Sequence, residues 1–493
     1  MSTLDEQLVI PSGRDRRRRL RLWVKMLIGC LMVVTAVAAT VATGTLLEVK
    51  AFTDALKQSP QLKLGNELAT ANAGGPQTLL LIGSDKRAKG AVDYGGPPHS
   101  DTMLLVRLDP NQPDTTMLSV PRDLKVTIHP DHGASSTQKI NAAYSIGGAK
   151  LAVKTVKQVL GVPINHVIDI NFAGFRDVVS YLGCVFVQVD RRYYHSNAGL
   201  AASETYSEID IQPGYQRLCG DDALAYVRYR HTDTDLVRNA RQQDFLRQIK
   251  NQVGAAGLVS RRYGLENIFG TYASTDIRSS DDVLKLLELL VQSASHPVRQ
   301  VTFNADLGPS YVTASPGQIH QTVSEFLHGG TAPGHINVPS AKKGSTHPAP
   351  VPAVPLTPAS PSALAAASAI APSVPFKLYY PVRQVTAAGA DPDTVRSYAL
   401  HGGHAYVAVV AQGGLGQYYN LQGTDWTNPP ILNNPNQTIQ LGRRTVRLYF
   451  EGQRLRMVAW HDGRGVYWLI NTLQNILTNR EMLAIAAAAR PVS

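Results

Sequence analysis

The sequence predicts an α/β (α+β) fold in which a central mixed sheet is covered by helices. Short apolar runs typical of strands alternate with longer segments whose apolar residues recur at helical spacing. The chain has 493 residues, 44% of them hydrophobic, which is enough for two or more domains with ordinary cores. A change of composition at residue 331 separates the main domain, 76–330, from a second small α+β domain, 375–493.

The main domain is predicted from its alternating apolar periodicities. Strands are predicted over 78–82, 103–108, 116–120, 169–172, 185–189, 225–230 and 298–303. Helices are predicted over 141–160, 172–182, 239–253 and 281–293. Because the two kinds of element alternate, the helices are expected to cover the faces of one sheet.

Residues 331–374 are dominated by proline, alanine and serine, which predicts an extended, disordered linker. In the domain that follows, strands are predicted over 405–410, 445–450, 456–460 and 466–470, and a helix over 472–489. This domain contains no cluster of metal ligands and no nucleophile–base pair at a recognisable spacing. A binding, scaffolding or structural role is the most that its sequence predicts.

The N-terminal segment predicts a membrane anchor. A basic cluster in residues 1–25 precedes an uncharged apolar run, 26–47, which as a helix spans roughly 33 Å and matches a hydrocarbon core of about 30 Å. The basic flank should stay in the cytoplasm, so that the spacer 48–75 and the bulk of the chain lie outside. The cluster could instead bind nucleic acid, but so short a tail has no room for a DNA-reading domain. We therefore expect the lipid bilayer, and no nucleic acid, as a partner.

Two cysteines of the exported part, Cys184 and Cys219, predict a disulfide, because thiols pair in an oxidising compartment. Two buried free thiols are the alternative. A bridge would brace the predicted strand 225–230, which begins six residues after Cys219.

Four arginines between residues 226 and 243 predict an anion-binding site. Arg228 and Arg230 alternate with apolar residues and would share one face of a strand, whereas Arg238 and Arg241 would share one face of a helix. The planar fork of arginine suits phosphate or pyrophosphate oxygens. The alternative is a solvated basic face with scattered surface ion pairs.

Charged residues at three strand ends extend this predicted site. Asp85 follows the first strand, Asp101 precedes the second, and Arg122 follows the third. The two aspartates flank a hairpin-like connection, so their carboxylates are expected to lie close together. Beside a phosphate they would need a cation, and Mg²⁺ is the ion usually found between carboxylates and phosphates. Turn capping is the alternative for each aspartate alone.

The order of these motifs resembles the LytR–CpsA–Psr family over residues 78–255, with weaker similarity to 328. The motifs are Leu-Ile-Gly-Ser-Asp-Lys-Arg at 81–87, Ser-Asp-Thr-Met at 100–103, Val-Pro-Arg-Asp at 120–123, Lys-Ile-Asn-Ala-Ala-Tyr at 139–144, Phe-Ala-Gly-Phe at 172–175, Tyr-Val-Arg-Tyr-Arg-His at 226–231 and Arg-Gln-Gln at 241–243. The resemblance implies a membrane-anchored transferase that moves a glycopolymer from a polyprenyl-pyrophosphate carrier to peptidoglycan through a phosphodiester. The C-terminal domain looks like extensions of some actinobacterial members.

The resemblance also implies roles for individual residues. Asp85 and Asp101 would hold Mg²⁺. Around the pyrophosphate it places Arg87, Arg122, Arg228, Arg230, Arg238 and Arg241, flanked by Gln242 and Gln243. The expected catalytic set is Arg122, Arg228, Arg230, Arg238 and Asp101.

Two features of this predicted site stay open. Asp101 or Asp233 could accept the proton of the acceptor hydroxyl. The lipid tail needs an apolar tunnel, which the helices 141–160 and 172–182 could line, although their apolar faces could equally be core.

Two other functions fit the same residues. Water could replace the glycan, which would make the enzyme a polyprenyl-pyrophosphate hydrolase. A non-catalytic, membrane-tethered wall-binding or regulatory protein is the alternative from a different class. The converging arginines and paired aspartates favour phosphate chemistry over wall binding alone.

Overall fold

The computed structural model describes residues 54, 57, 60–72, 74–86, 98–199, 208–229, 233–293, 296–329, 334–336, 351–385, 388–390, 395–412 and 417–492. The chain from Ala55 to Ser493 belongs to one compact unit. The predicted tail 1–25 and membrane span 26–47 lie outside the described residues. Within the described ranges, no helix is both long enough and apolar enough to cross a membrane.

The main domain alternates strands and helices. Its strands are β1 (Gln77–Ser84), β2 (Ser100–Leu108), β3 (Thr115–Ser119), β4 (Lys125–Ile128), β5 (Ser136–Lys139), β6 (His166–Asn171), β7 (Val185–Val189), β8 (Tyr193–His195), β9 (Ile209–Ile211), β10 (Gly214–Leu218), β11 (Ala273–Thr275), β12 (Val298–Val301), β13 (Asp306–Leu307) and β14 (Val312–Thr313). Its helices are α1 (Ala142–Leu160), α2 (Phe172–Tyr181), α3 (Gly220–Arg228), α4 (Asp235–Ser260), α5 (Arg262–Tyr272), α6 (Ser280–Gln292) and α7 (Pro316–His328).

A six-stranded sheet forms the centre, in the order β11-β6-β1-β2-β3-β12. It is mixed, because β1 pairs antiparallel with β2 but parallel with β6. Leu80, Ile82 and Leu105 have no exposed surface, and they form one core with residues of α1 such as Val156. The prediction of a mixed sheet covered by helices is confirmed for this domain.

The predicted strand over 225–230 is wrong, because Gly220–Arg228 is the helix α3 and Arg228 is its last residue. Asp221 and Asp222 lie in its first turn, where negative charge is favourable near the helix N-terminus. Ala223, Tyr226 and Val227 are buried at helical spacing. The alternating residues Ala225, Val227 and Tyr229 therefore lie at the end of a helix. The helical spacing of its buried residues begins upstream, at Ala223.

The predicted disulfide between Cys184 and Cys219 is confirmed, with the two Cα atoms 4.6 Å apart. Cys219 is the N-cap residue of α3, and Cys184 directly precedes β7. The bridge therefore ties the start of α3 to β7, and it braces a helix rather than a strand.

We expect the Cys184→Ala/Cys219→Ala double variant to lose stability. Opening a loop of 35 residues lowers the free energy of unfolding by about 4 kcal/mol in the chain-entropy model. The measurement is the urea midpoint of wild type and variant under non-reducing conditions. With reductant present the two midpoints should converge, and equal midpoints without reductant would contradict the prediction.

The C-terminal region is built on a second, antiparallel sheet. The strands of this region are β15 (Leu356–Pro358), β16 (Leu378–Pro381), β17 (Arg383–Val385), β18 (Ala388–Ala390), β19 (Arg396–Leu400), β20 (Gly403–Gln412), β21 (Tyr418–Thr424), β22 (Gln437–Leu441), β23 (Arg444–Glu451), β24 (Arg454–Asp462), β25 (Gly465–Ile470) and β26 (Ala489–Val492), and its helices are α8 (Pro361–Ile370) and α9 (Asn479–Ala488). The strands β18 to β25 form the sheet, whereas β15 pairs with β17 and β16 pairs with β26. The four predicted strands correspond to β20, β23, β24 and β25. The predicted helix 472–489 begins seven residues later than expected.

The predicted linker over 331–374 is wrong for its C-terminal part, which contains β15 and α8. Ser360 caps α8 through a hydrogen bond from the Ala363 amide, and Pro361 is the first helical residue. Ala363 and Ala367 are fully buried one turn apart in the C-terminal core. The alanine-rich composition that predicted disorder is here the small-residue face of a packed helix.

The C-terminal region packs against the main domain. The Tyr215 amide of β10 donates to Gln422 Oε1 at 2.9 Å, and Trp468 Nε1 donates to Gln188 Oε1 at 3.0 Å. Glu451 at the end of β23 accepts from Arg247 Nη1 of α4 at 2.6 Å and from the Gln300 amide of β12 at 3.0 Å. The second domain is therefore joined to the first by buried polar contacts as well as by the chain.

Candidate active site

The two predicted metal-ligand aspartates lie at the same end of the central sheet. Antiparallel pairing places Ser84, the last residue of β1, opposite Ser100, the first residue of β2. Asp85 directly follows Ser84, and Asp101 directly follows Ser100. The His99 amide donates to Asp85 Oδ1 at 2.6 Å, and the Asp85 amide donates to the His99 carbonyl at 3.2 Å. Both aspartates line a cavity of about 400 Å³.

We call this space the polar cavity. Among the described residues, its lining carries four basic side chains, three carboxylates and three further polar side chains, which are Arg122, Lys139, Arg228 and Arg238, then Asp85, Asp101 and Asp123, then His99, Asn141 and Gln242. Arg122 lies in the loop after β3, Arg228 ends α3 and Arg238 lies in the first turn of α4. The predicted convergence of arginines on the aspartates is therefore seen for these three.

Asp101 holds two of these arginines. Its Oδ1 accepts from Arg122 Nη1 at 2.5 Å, and its Oδ2 accepts from Arg228 Nη2 at 3.3 Å. The guanidinium of Arg228 also lies 3.8 Å from the centre of the Phe172 ring, at the start of α2. These contacts fix both guanidinium groups at the cavity wall and use only some of the N–H donors of each fork, which has the geometry to bind a phosphate.

Arg238 is a buried charge. Only 2% of its surface is exposed, and its Nη2 lies 3.0 Å from Asp235 Oδ1. Burial lowers the pKa of this guanidinium, while the Asp235 carboxylate acts in the opposite direction. Within the described part of the chain, its Nε has no hydrogen-bond partner. Because arginine stays protonated and a buried charge is costly unless compensated, a second anion in the cavity would stabilise it.

A smaller, apolar cavity of about 120 Å³ adjoins the polar one and shares Arg228 and Gln242 with it. Gln242 lies one turn after Arg238 on α4, and its Nε2 donates to the Val227 carbonyl of α3 at 3.1 Å. The apolar lining comes from the sheet, α2, α3 and α4 and includes Ile82, Leu104, Phe172, Phe175, Leu224, Val227, Phe245 and Leu246. The polar cavity and the apolar cavity thus meet at two side chains, Arg228 and Gln242.

The structure corrects half of the predicted tunnel. Phe172 and Phe175 of α2 line the apolar cavity, as predicted for the helix 172–182. The helix α1, which is described over its whole length, contributes no lining residue. Its buried residues, including Val153 and Val156, pack in the main core instead.

Arg241, predicted to surround the pyrophosphate, does not line the polar cavity. It is fully buried and forms an ion pair with Asp233, and its Nη1 donates to the carbonyls of Tyr226 at 2.7 Å and Tyr229 at 3.1 Å. Its guanidinium also lies 4.5 Å from the centre of the Tyr193 ring. We correct its role to holding the chain that leaves α3.

Two further predicted residues lie away from the polar cavity. Gln243 is 3% exposed and is not part of its lining. The side chain of Asp233 has no exposed surface and is paired with both Arg191 and Arg241. Asp233 is therefore a poor choice for the carboxylate that accepts a substrate proton. Arg87 and Arg230 lie outside the described residues, so their predicted roles stay predictions.

Asp123, Lys139 and Asn141 line the polar cavity although no role was predicted for them. Lys139 Nζ lies 3.0 Å from Asp123 Oδ1, and the Asn141 amide donates to the Arg122 carbonyl at 3.2 Å. All three lie within the motifs 120–123 and 139–144 that carry the family resemblance. Their hydrogen bonds across the loop after β3 hold Arg122 in place.

A buried carboxylate lies behind the aspartate end of the sheet. Asp169 of β6 accepts from Tyr144 Oη at 2.6 Å and from Ser84 Oγ at 2.8 Å. Burial raises the pKa of Asp169, and the two hydrogen bonds act in the opposite direction. The network joins β6, α1 and the last residue of β1, and so fixes the backbone from which Asp85 projects.

The polar cavity fits a metal ion that is bound together with a phosphate. Asp85 and Asp101 are its candidate oxygen ligands, whereas no group of three or more histidine, cysteine or acidic residues suited to a metal occurs among the residues that the structure describes. Mg²⁺ is usually held by one or two carboxylates together with water and substrate phosphates rather than by a cage of protein ligands. Two carboxylates beside an anion site match that pattern.

The chain is similar in sequence to one protein family and to several known proteins. The profile of the LytR_cpsA_psr family matches residues 40–326. The polyisoprenyl-teichoic acid–peptidoglycan teichoic acid transferase TagT of Bacillus subtilis (strain 168) is 33% identical over 243 residues, which are 48% of this chain and 72% of that protein. TagU of Enterococcus faecalis (strain ATCC 700802 / V583), which carries the same transferase name, is 33% identical over 227 residues, 46% of this chain and 69% of that protein. Among solved structures, that of B. subtilis TagV is 28% identical and has a TM-score of 0.40. The alignment covers 52% of this chain and 98% of that one.

Proposed function

Because the chain belongs to the LytR_cpsA_psr family, we propose that it transfers a glycopolymer from a polyprenyl-pyrophosphate carrier to peptidoglycan through a phosphodiester bond. The observation that carries the proposal is the junction of the polar and apolar cavities at Arg228 and Gln242. A polyprenyl pyrophosphate has a charged head and an apolar tail, and the polarities of the two cavities match the head and the part of the tail next to it. The polyisoprenyl carrier named for the relatives is a lipid of this kind.

The reaction follows from the charges of the polar cavity. The acceptor hydroxyl attacks the phosphorus attached to the glycopolymer, and polyprenyl phosphate leaves. Arg122, Arg228 and Arg238 are placed to stabilise the charge on the non-bridging and leaving oxygens. Asp123 lines the cavity beside Lys139 and is the carboxylate that we assign to the acceptor proton. Asp101, the other candidate, accepts from two guanidinium groups at 2.5 and 3.3 Å, whereas Asp123 has Lys139 Nζ at 3.0 Å and Arg122 Nε only at 3.7 Å.

We propose Mg²⁺ as the metal ion of this site, held by Asp85 and Asp101 with phosphate oxygens of the substrate. Bound there, it would neutralise charge on the pyrophosphate. The arginines would then orient the phosphate groups, and the two carboxylates would hold the ion in place.

Replacing Asp85 should weaken the response to Mg²⁺. In Asp85→Asn, the Mg²⁺ concentration that gives half-maximal transfer should rise at least about tenfold, because metal ligands and their supporting residues each affect affinity by that order. Titration of Mg²⁺ after treatment with a chelator measures this. Asp131→Asn, whose carboxylate pairs with Lys150 and Lys154 outside the cavity, is the matched control. An unchanged requirement in Asp85→Asn would contradict the assignment.

The proposed transfer is tested with the full chain in detergent, a polyprenyl-pyrophosphate-linked oligosaccharide and uncrosslinked peptidoglycan. The expected product is sugar attached to the glycan through phosphate, and it should be lost in Arg122→Ala and Asp101→Ala. Release of free sugar phosphate without attachment would instead identify a hydrolase. Tight lipid binding without any reaction would identify a carrier-binding protein.

We also propose that residues 26–47 anchor the protein in the membrane, with the polar cavity on the outer side. The basic tail and the apolar run that follows it support this orientation. A reporter fused after Ser493 should be active only outside the cytoplasm. Activity confined to the cytoplasm would contradict the proposal.

A further inference from the structure

A third and larger cavity adjoins the polar cavity on the side of α3. It has a volume of about 850 Å³ and shares Asp123, Lys139 and Arg228 with the polar cavity. We call it the acidic cleft. The side chains specific to it include Glu208, Asp221, Asp222, Asp235, Tyr229 and Tyr311. It shares Leu224 and Arg228 with the apolar cavity.

The charge of the acidic cleft is opposite to that of the polar cavity. Among its described lining residues, six carboxylates face two basic side chains, Lys139 and Arg228. Some of these carboxylates form ion pairs with basic side chains that do not line the cleft, as Asp221 does with Arg176 at 2.7 Å. No ion pair is found for Glu208 or Asp222 within the described part of the chain. The other four carboxylates each pair with a basic side chain. Glu208 and Asp222 therefore remain as the acceptors that can bind hydroxyl groups of a sugar chain.

One carboxylate oxygen of the cleft, Asp235 Oδ2, lacks a hydrogen-bond donor among the described residues. The Asp235 side chain is 7% exposed, and its Oδ1 pairs with Arg238. Its Oδ2 is buried and has no hydrogen-bond partner among the described residues.

An aromatic side chain lies on the wall formed by the β13–β14 turn. Tyr311 closes this turn, in which the Gly308 amide donates to the Tyr311 carbonyl at 2.9 Å, and its ring lines the cleft. Tyrosine offers an apolar face and a polar hydroxyl, which suits the mixed surface of a sugar ring. The cleft thus combines acceptors for hydroxyl groups with an aromatic surface.

We infer that the acidic cleft binds the peptidoglycan glycan strand that receives the polymer. The inference rests on the proposed function, since it assigns the acceptor side of the same reaction. A strand in the cleft reaches the phosphate site along the shared wall of Asp123, Lys139 and Arg228. The sugars of the donor are the other source of the same hydroxyl chemistry, and the test separates the two.

The test uses the full chain in detergent with Tyr311→Ala and Asp222→Asn. Each should raise the KM for uncrosslinked glycan strands roughly 3- to 10-fold, as expected for the loss of one ordinary contact, and should leave the KM for the lipid-linked donor unchanged. Tyr194→Ala and Asp281→Asn are matched controls, because neither side chain lines any of the three cavities. Both controls should keep the wild-type KM values.

Two outcomes would overturn the inference. A raised KM for the donor with an unchanged KM for the acceptor would assign the cleft to the donor sugars. Wild-type values for both substrates would remove the cleft from the reaction. If the wild-type protein does not transfer at all, the proposed function fails. The inference about the acidic cleft is then tested by direct titration with glycan fragments. It is supported if wild type binds the fragments and Tyr311→Ala binds them more weakly, and it is contradicted by any other result.

Discussion

Replacing Arg238 by alanine is expected to lower kcat/KM for transfer about 10²- to 10³-fold per folded molecule, and to lower the free energy of unfolding as well, because it removes the partner of the buried Asp235. The side chain lies in the polar cavity, is almost fully buried and has an Nε for which no hydrogen-bond partner occurs in the described ranges of the chain. Loss of one preorganised donor at a developing negative charge has an effect of that size. Arg238→Lys should recover part of the activity, since it restores the charge but not the fork. The measurement is steady-state kinetics with the lipid-linked donor.

Arg241 provides the contrast, because it lies three residues further along the same helix and was predicted to have the same role. Arg241→Ala leaves the buried Asp233 with one ion-pair partner fewer and removes the donor to two carbonyls. Its free energy of unfolding should fall by about 3–5 kcal/mol, with transfer lost through unfolding. A stable Arg241→Ala protein without activity, or a fully active Arg238→Ala protein, would contradict the assignments.

The second large effect is expected at the contact between the two domains. Glu451 is 9% exposed, and its carboxylate accepts from Arg247, from the Gln300 amide and from Asn475. Glu451→Gln removes the negative charge from this cluster and should lower the free energy of unfolding by about 3 kcal/mol, since breaking one buried ion pair has that order of effect. The urea midpoint of the full chain measures it.

The same variant shows whether the second domain supports the active site. Arg247 lies on α4, the helix that also carries Arg238 and Gln242. Once the reaction is run well below the unfolding midpoint, Glu451→Gln should keep its kcat/KM within a few fold of wild type. Glu288→Gln, on an exposed part of α6, is the matched control and should change neither quantity. An unchanged midpoint in Glu451→Gln would show that the contact does not stabilise the protein.

Much of the main domain follows from periodicity alone. The first three strands and α1 were predicted to within three residues at either end, because the strands contain short, largely buried apolar runs and α1 buries its apolar residues at helical spacing. The error at 225–230 arose because Ala225, Val227 and Tyr229 alternate over too short a run to separate a strand from the end of a helix. The end of α3 still directs Arg228 into the polar cavity.

The candidate site was predictable as a set of residue types but not as a set of contacts. The sequence grouped Arg238 with Arg241 because they are three residues apart on one helix. Asp233, which turns Arg241 into an internal ion pair, lies in the loop after α3, and the path of that loop is not set by local sequence. The contribution of Asp123 and Lys139 also depends on long-range pairing, since the strand β5 brings Lys139 back to the loop after β3.

The C-terminal domain shows the same limit. Its strands are recognisable, but the alanine-rich helix α8 has the composition of a linker, and only its packing against the second sheet explains its burial. The polar contacts of Glu451 with Arg247 and Gln300 join residues more than 150 positions apart. Such contacts leave no local signal in a single sequence.

The most direct test of the central claim follows the phosphorus atom. A donor is prepared with radioactive phosphorus only in the phosphate that carries the sugar, and it is incubated with the full chain, Mg²⁺ and uncrosslinked peptidoglycan. The account predicts that the label becomes covalently bound to peptidoglycan in wild type and in Tyr194→Ala, but not in Arg238→Ala, while unlabelled polyprenyl phosphate is released. Label that stays with the lipid, or that appears only as free sugar phosphate, would contradict it.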